Sequence, residues 1–576
     1  MEYNSPAGLS PMQRFWRLLK PDAKEIRNIY IYAAFNGLVA LTLPLGIQAI
    51  INLIQGGQIS TSWIVLVAFV VFGVGLNGIL RILQMRVTEN IQQKIFTRAA
   101  FEFTYRIPRI RMETLFRHYA PELMNRFFDV MTVQKGLSKI LIDFSTGTLH
   151  VIFGLILLSL YHPFFIAFSL VLVVLIYAII RYTGVRGLNT SLRESKYKYM
   201  LAHWLEEMAR AATSFKLAGA TNLHMQRTDE FSGSYLEARE SHFQILIRQF
   251  SLMVVFKVIV AAGLLLIGGI LVIEQQMNIG QFVAAEIIIL LVMGAVEKLI
   301  LSMESIYDVL TGLEKIGQVT DLELEKTSGA EIKGDRSIGM EVCLEHVSFS
   351  YPGSLIQKLC DISFTIPQGQ KVMVAGNSSS GKSTLLAVIS GLFQVQEGAV
   401  SYDGLPKGNL SSESLYSVIG DCLSHEQIFQ GTIMENIAIG RPNASLEWVE
   451  KVVKSLGLSE FIRRAEEGYN TILEPEGKGL PKQIVTKILL ARSVADKPRL
   501  LLLDAAFEHL DQPDRESIIR FLTADENPWT LIATGSEPIL ARYCDRVMIL
   551  HKGKFIKEGK GEEALDTIKP NNSEDA

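Results

Sequence analysis

The chain begins with long apolar stretches and changes near residue 340 to short apolar runs that alternate with amphipathic ones. No charged residue occurs between Asn28 and Leu80, a stretch too long for one membrane helix of about 20 residues. Six runs are each apolar and long enough to span a bilayer, and the pattern therefore predicts an α-helical transmembrane domain with six spans. The runs are Ile29–Leu53, Trp63–Leu83, Leu141–Leu160, Phe164–Tyr182, Val254–Ile273 and Ile279–Leu301.

The distribution of basic residues between the spans predicts their orientation. The turns within the three pairs of spans, which include Tyr161–Pro163 and Glu274–Asn278, carry no Lys or Arg. The segments Gln84–Lys139 and Thr183–Arg248 are long and rich in both. The positive-inside rule therefore predicts a multi-pass protein of the plasma (inner) membrane, with both long loops and both termini in the cytoplasm. An amphipathic run, Met12–Leu19, is expected at the membrane surface.

The two long loops are too regular to be simple connections. Arg81–Phe103 and Leu192–Met208 have helical patterns, so the spans are expected to extend into the cytoplasm, with breaks near Pro108, Pro121 and Gly219. After the sixth span the helical pattern continues to residue 322 and a polar linker follows. The predicted divisions are an N-terminal segment (1–28), a transmembrane domain (29–322), a linker (323–339), a nucleotide-binding domain (340–570) and a tail (571–576).

The C-terminal part alternates strand-like and helical runs. Apolar or β-branched runs occur at Glu341–Ser350, Val372–Ala375, Leu500–Asp504 and Thr530–Thr534. Strands that alternate with helices indicate an α/β domain with a mainly parallel sheet.

A glycine-rich loop follows the second of these runs and fits the pattern G-x-x-x-x-G-K-S/T between a strand and a helix. Its backbone N–H groups and the helix N-terminus are expected to bind phosphates, with Lys382 at the β- and γ-phosphates and the Ser383 hydroxyl on Mg²⁺. The pattern therefore predicts a bound nucleotide and Mg²⁺, and the resemblance described below identifies the predicted nucleotide as ATP. The predicted loop residues are Gly376, Asn377, Ser378, Ser379, Ser380, Gly381, Lys382, Ser383 and Thr384.

Composition adds little about partners. The net charge of −3 gives no indication of a nucleic-acid partner, and none is expected. The four cysteines, all in the C-terminal part, have no metal-ligand spacing and are interpreted as reduced thiols of a cytosolic domain. The N-terminus has no signal-peptide pattern.

Six spans followed by one such domain resemble a half-size ABC exporter, with the transmembrane domain fused to an α/β P-loop ABC nucleotide-binding domain. Ala120–Arg126 and Leu205–Ala220 are similar to the family's first and second coupling segments. The resemblance implies a homodimer, or a heterodimer with a second ABC half-transporter, and accessory export proteins are further candidate partners. The implied substrate classes are peptides, proteins, lipids or drugs, and no peptidase-like domain is expected before the spans.

Two more site residues follow from this resemblance. Val347–Pro352 looks like the family's adenine-stacking segment, with Tyr351 as the stacking ring. Leu500–Asp504 looks like its Walker B strand, whose Asp504 would ligate Mg²⁺ opposite Ser383.

The chain departs from the family where the family hydrolyses ATP. Ala505 replaces the glutamate that polarises water, Gly535 replaces the switch histidine, and Ser424 stands at the Q-loop position, with His425 and Gln427 close by. The L-S-G-G-Q signature, which clamps the γ-phosphate bound to the opposite subunit, aligns with Leu480–Ile484. Lys482 in this segment is either a phosphate contact or a solvated side chain.

These departures predict no catalytic residues, ATP binding, and very slow hydrolysis, because several groups worth about 10²–10⁴ in rate are lost together. Asymmetric exporters usually keep one complete composite site, and this chain cannot contribute to one in either position. Two alternatives stay open. One is a regulatory or scaffold subunit that senses or holds ATP, and the other is an ion-coupled carrier in which Glu286 titrates.

Ionisable residues within spans are candidates for function. Lys257 and Glu297 are expected at similar depth near the cytoplasmic side, where they either pair or extend to the interface. Glu286 lies deeper, three turns from Glu297 on one helix face, and is expected to line the cavity or to form a structural hydrogen bond.

Overall fold

A computed structural model describes residues 9–55, 61–332, 335–423 and 427–562. The chain divides into two compact units, of which one contains Met1–Pro108 and Tyr119–Leu322 and the other contains Arg109–His118 and Glu323–Ala576. The first unit is helical and the second contains the strands.

Long helices build the first unit, because their residues are apolar for most of each span and contain few helix breakers. In chain order, the helices up to residue 320 are α1 (Pro11–Leu19), α2 (Ala23–Ala40), α3 (Thr42–Gln55), α4 (Thr61–Arg106), α5 (Met112–Leu115), α6 (Ala120–Asn125), α7 (Asp129–Lys139), α8 (Ser145–Ser159), α9 (Pro163–Arg210), α10 (Ala212–Leu217), α11 (Leu223–Ile273) and α12 (Ile279–Thr320). Short 3₁₀ or π segments join some of them: Lys20–Asp22, Ile107–Arg109, Arg126–Phe128 and Ile140–Phe144. Of these elements, α5 and Arg109, the last residue of one 3₁₀ segment, belong to the second unit.

Among the residues that the structure describes, six helical segments are long and apolar enough to cross a membrane, which agrees with the predicted transmembrane fold class. They are Pro11–Gln55, Thr61–Arg109, Ala120–Ser159, Pro163–Arg210, Leu223–Ile273 and Ile279–Thr320. The helices α4 and α9 extend far beyond the apolar spans, as the sequence predicts. The turn between the first two spans lies partly outside the described residues.

The second unit contains the strands β1 (Val342–Ser350), β2 (Gln357–Ile366), β3 (Lys371–Ala375), β4 (Glu397–Tyr402), β5 (Leu405–Pro406), β6 (Ile419–Cys422), β7 (Gly431–Thr432), β8 (Ile472–Leu473), β9 (Leu500–Asp504), β10 (Thr530–Thr534), β11 (Arg546–His551) and β12 (Lys554–Gly559). Its helices after β3 are α13 (Lys382–Ile389), α14 (Ser412–Ser417), α15 (Ile433–Ala438), α16 (Leu446–Ser455), α17 (Ser459–Arg464), α18 (Lys482–Val494), α19 (Gln512–Thr523) and α20 (Pro538–Tyr543). The four strands predicted from the sequence are all present.

The sheet topology places the site residues along one edge. The six-stranded sheet has the order β12-β11-β3-β10-β9-β6, with β3, β9 and β10 parallel and fully buried. A four-stranded antiparallel sheet has the order β2-β1-β4-β5. Because the carboxyl ends of neighbouring parallel strands meet at one edge, the loops after β3, β9 and β10 converge there.

One segment from the loop after the second span belongs to the second unit. This segment, Arg109–His118, contains α5 and pairs with the linker, where Ile110 and Leu324 form an antiparallel bridge. The segment predicted from the resemblance as the first coupling segment, Ala120–Arg126, belongs to the first unit.

Candidate functional site

The glycine-rich loop has the backbone geometry of a phosphate cradle. It begins at Gly376 directly after β3 and ends at Gly381, where α13 starts. Both glycines have positive φ angles, 155° and 107°. A Cβ atom at Gly376 would lie 2.2 Å from the Leu550 carbonyl oxygen, and one at Gly381 would lie 2.9 Å from that of Lys358. The loop therefore requires glycine at both positions.

The Lys382 side chain is hydrogen-bonded to the loop that precedes it. Its Nζ donates hydrogen bonds to the carbonyl oxygens of Gly376, at 2.8 Å, and Asn377, at 2.9 Å. Burial lowers the pKa of Lys382 below its usual value, and the carboxylates of Asp504 and Glu508 oppose that shift. The ammonium group is thus held at the cradle, where a bound phosphate would stabilise its charge.

The other predicted loop residues differ in the solvent exposure of their side chains. Asn377, Ser378, Ser379 and Ser383 are exposed, whereas Ser380 and Thr384 are buried. The buried Ser380 hydroxyl has no hydrogen-bond partner among the described residues. An unpaired buried hydroxyl and an exposed Ser383 at the start of α13 are features that fit a bound nucleotide phosphate.

Asp504 is oriented by a residue that the sequence alone did not indicate. Asp504 ends β9 and is the register partner of Thr534, which ends β10. The buried Thr534 hydroxyl donates to Asp504 Oδ1 at 2.6 Å and accepts from the Ala505 N–H at 3.0 Å. A Mg²⁺ ion bound by Ser383 and Asp504 would shield the phosphate charge. The structure supplies Thr534 as the support that fixes the orientation of this carboxylate.

Replacing Thr534 by valine is expected to lower the Mg²⁺ affinity of the nucleotide site by about tenfold. The reason is that residues that hydrogen-bond a metal-binding carboxylate typically contribute about 10- to 100-fold in metal affinity. Valine keeps the shape of the side chain and removes both hydrogen bonds. The measurement is a Mg²⁺ titration of nucleotide binding, with Thr534→Ser as the control that keeps the hydroxyl. Equal Mg²⁺ affinity for the valine and serine variants would contradict this role.

Tyr351 follows β1 and lies next to the loop helix. Its hydroxyl and that of Thr384 are 3.1 Å apart. The ring packs among Phe116, Phe349 and Phe393. The predicted base-stacking residue is therefore close to the phosphate loop, and one of its faces is covered by Phe116.

The resemblance aligns Ala505 and Gly535 with two of the family's hydrolytic positions, and neither residue has a side chain that can orient water. Ala505 follows Asp504 with a positive φ of 50°. A Cβ atom at Gly535 would lie 2.4 Å from Glu537 Oε2, so the Glu537 carboxylate lies beside Gly535. Of the Q-loop positions, Ser424 and His425 lie outside the described residues, and the Gln427 carbonyl oxygen accepts from Arg492 at 3.0 Å.

The segment aligned with the signature motif begins a helix. Pro481 precedes α18, and Lys482, its first residue, is exposed. Gln483, where the family has a glycine, donates to Asp514 Oδ2 at 2.5 Å, and Lys487 donates to the same oxygen at 2.6 Å. The Gln483 side chain is therefore held within the domain by its own contact.

The ionisable residues within the spans are also located. Lys257 of α11 and Glu297 of α12 form an ion pair, with Nζ and Oε2 2.7 Å apart. The first of the two expected arrangements is therefore the one observed. Glu286 is half-buried on α12.

Comparisons with known proteins agree with this architecture. The family described as "ABC transporter" matches residues 359–508, and the family described as "ABC transporter transmembrane region" matches residues 26–296. A solved structure of a bacterial Atm1-family ABC exporter with ATP bound has a TM-score of 0.81, covers 95% of this chain and 96% of its own, and is 17% identical in sequence, a likeness that shows the fold.

Two kinds of curated relatives are similar in sequence. The uncharacterized ABC transporter ATP-binding protein YknV of Bacillus subtilis is 26% identical over 577 residues, covering 96% of this chain and 92% of that protein. The cyclolysin secretion/processing ATP-binding protein CyaB of Bordetella pertussis is 30% identical over 311 residues, covering 53% of this chain and 43% of that protein. The chain thus spans nearly the whole of the first relative and less than half of the length of the second.

Proposed function

Because the chain is a half-size ABC exporter, with a transmembrane domain fused to an ABC ATP-binding domain, we propose that it holds Mg-ATP and hydrolyses it poorly or not at all by itself. In this proposal it supports export of a substrate as one half of a dimer in the plasma membrane, with both termini in the cytoplasm. Peptides, proteins, lipids and drugs are the candidate substrate classes. The predicted domain limits at residues 28, 322, 339 and 570 are part of the proposal.

The observation that carries the proposal is the contrast between the two halves of the site. The cradle residues Gly376, Gly381 and Lys382 have the geometry that a phosphate requires, and Asp504 is oriented by Thr534. Next to them, the positions that should activate water hold Ala505 and Gly535. Binding groups without water-activating groups support occupancy by ATP over turnover.

The arrangement of nucleotide sites in an ABC exporter dimer gives a second reason to expect slow hydrolysis. In ABC exporters each ATP lies between the glycine loop of one chain and the signature segment of the other. A homodimer of this chain would place Leu480–Ile484 opposite both cradles, with Pro481 lacking an N–H and Gln483 in place of glycine. With an intact partner, the partner's cradle would face the altered segment, and this chain's cradle would lack its own glutamate and histidine.

The test measures ATP binding and phosphate release on the same preparation of the full chain, purified in lipid together with any partner that co-purifies. We expect saturable Mg-ATP binding and turnover about 10²- to 10⁴-fold below that of an ABC exporter with complete motifs in the same lipid. The proposal fails if the chain alone hydrolyses ATP at ordinary ABC rates and Lys382→Ala abolishes that activity. A co-purifying half-transporter with complete motifs would indicate a heterodimeric pump, whereas its absence would favour the scaffold alternative.

A further inference from the structure

We propose that Phe116 is a positioning residue of the nucleotide site: its ring holds Tyr351 so that one face of the tyrosine is left for an adenine base. The inference rests on the proposed ATP binding and adds a residue from the loop after the second span to the site. Phe116 belongs to the same compact unit as Tyr351, although 235 residues separate them in sequence.

The first observation is a parallel stack of two rings. The centroids of Phe116 and Tyr351 are 4.9 Å apart and their planes differ by 15°. Phe349 and Phe393 meet Tyr351 edge-on, at centroid distances of 5.2 and 5.5 Å and interplanar angles of 79° and 88°. One face of Tyr351 is therefore covered by Phe116, and the two perpendicular rings limit its rotation.

The second observation is that the tyrosine is tied to the phosphate loop. Its hydroxyl is 3.1 Å from that of Thr384, which is buried in the first turns of α13. The ring thus contacts Phe116 on a face, two phenylalanines in edge-on geometry and Thr384 at its hydroxyl. Because Phe116 is stacked on one face of the ring, a base that stacks on Tyr351 has to use the opposite face, and that is the face that we assign to the base.

The third observation is that Phe116 is itself held in place. The Phe116 N–H donates to the Met112 carbonyl oxygen at 2.8 Å, which closes the short helix α5. Glu113 Oε1 accepts from the Gln394 N–H at 2.6 Å, and the Arg111 N–H donates to the Glu323 carbonyl oxygen at 2.9 Å. The segment is therefore bonded both to the linker and to the residues after α13.

These contacts give Phe116 a specific physical effect on binding. Bases of any kind stack on an aromatic face, so Tyr351 adds affinity for a nucleotide base without selecting it. A ring that is already oriented loses less freedom when the base binds than a ring that rotates freely. Phe116 is 50% exposed, so the stack is not needed to fill the domain core, and its removal is expected to act mainly on Tyr351.

The experiment compares two ligands and a series of variants of the full chain in lipid. The ligands are Mg-ATP and Mg-tripolyphosphate, which has the phosphates without the base. Phe116→Ala is expected to weaken Mg-ATP binding by about two- to tenfold, the range that corresponds to a typical aromatic pair. Binding of Mg-tripolyphosphate should not change. Phe116→Tyr, which keeps the stack, should bind both ligands as the unchanged chain does.

The controls separate positioning from a general effect on folding. Phe128→Ala, which removes an exposed phenylalanine of the same loop, should leave both affinities unchanged. If Phe116→Ala does not fold, Phe116→Leu keeps apolar volume without a flat ring and should weaken only Mg-ATP.

Three outcomes overturn the inference while ATP binding itself stands. They are unchanged Mg-ATP affinity without the ring, an equal loss for both ligands, and tighter Mg-ATP binding, which would mean that Phe116 competes with the base. Failure of the unchanged chain to bind Mg-ATP at all would instead overturn the proposed function, and this inference with it.

Discussion

Replacing Lys382 by alanine is expected to lower the affinity for Mg-ATP by about 100-fold. The Lys382 ammonium group donates to two carbonyl oxygens of the loop, Gly376 and Asn377, and lies at the anion cradle. In the nucleotide-bound state these donors would turn to phosphate oxygens as charge-assisted hydrogen bonds. Two such bonds at about 1.5 kcal/mol each correspond to about two orders of magnitude in the dissociation constant.

The measurement is equilibrium binding of Mg-ATP to the full chain in lipid, together with a thermal unfolding curve that confirms folding. Lys454→Ala is the matched control, because Lys454 is an exposed lysine of α16 away from the cradle. Lys382→Met tests whether volume rather than charge is responsible, and it should lose affinity as the alanine variant does. Retained Mg-ATP affinity in both Lys382 variants would show that the loop is not the phosphate site.

The sequence was sufficient to predict the elements of both units. The six apolar runs have about the 20 residues that a membrane helix needs, and five of them lie within candidate spans of the structure, while the third passes the end of its span by one residue. The strands β3, β9 and β10 are short, continuous apolar runs, because parallel strands are covered on both faces. Local composition determines both patterns, so reasoning from the sequence locates them.

The contacts that orient the site were not predictable in the same way. Thr534 matters because β10 lies beside β9 in register, and strand order is a property of the sheet that no short motif contains. Phe116 matters because the Arg109–His118 segment pairs with the linker more than 200 residues later. The glycine loop was recognised because its function requires a fixed spacing within nine residues, whereas these supports depend on tertiary placement alone.

The largest effect is expected from substitutions that introduce the family's glutamate, histidine and signature sequence into this chain. A chain that combines Ala505→Glu, Gly535→His and the four changes that return an L-S-G-G-Q sequence at 480–484 is expected to hydrolyse ATP about 10²- to 10⁴-fold faster than the unchanged chain. Ala505 already has a positive φ of 50°, so a glutamate there adds no new backbone conformation. Asp504 and Thr534 are register partners, and the two restored side chains therefore follow neighbouring strand ends at one edge of the sheet.

The intermediate variants make this prediction specific. Ala505→Glu alone is expected to change turnover little, because the water would be polarised in a site whose opposite signature segment still contains Pro481 and Lys482. A histidine at position 535 must displace the Glu537 carboxylate, because Glu537 Oε2 lies 2.4 Å from the position of the histidine Cβ atom. The Glu537 side chain is flexible and can move at low cost.

The measurement is phosphate release by the purified variants. Lys382→Ala in the fully restored chain is the control that should abolish phosphate release. If the restored chain hydrolyses ATP as slowly as the unchanged chain, these positions do not limit hydrolysis. Slow hydrolysis would then need an explanation other than the substituted motifs.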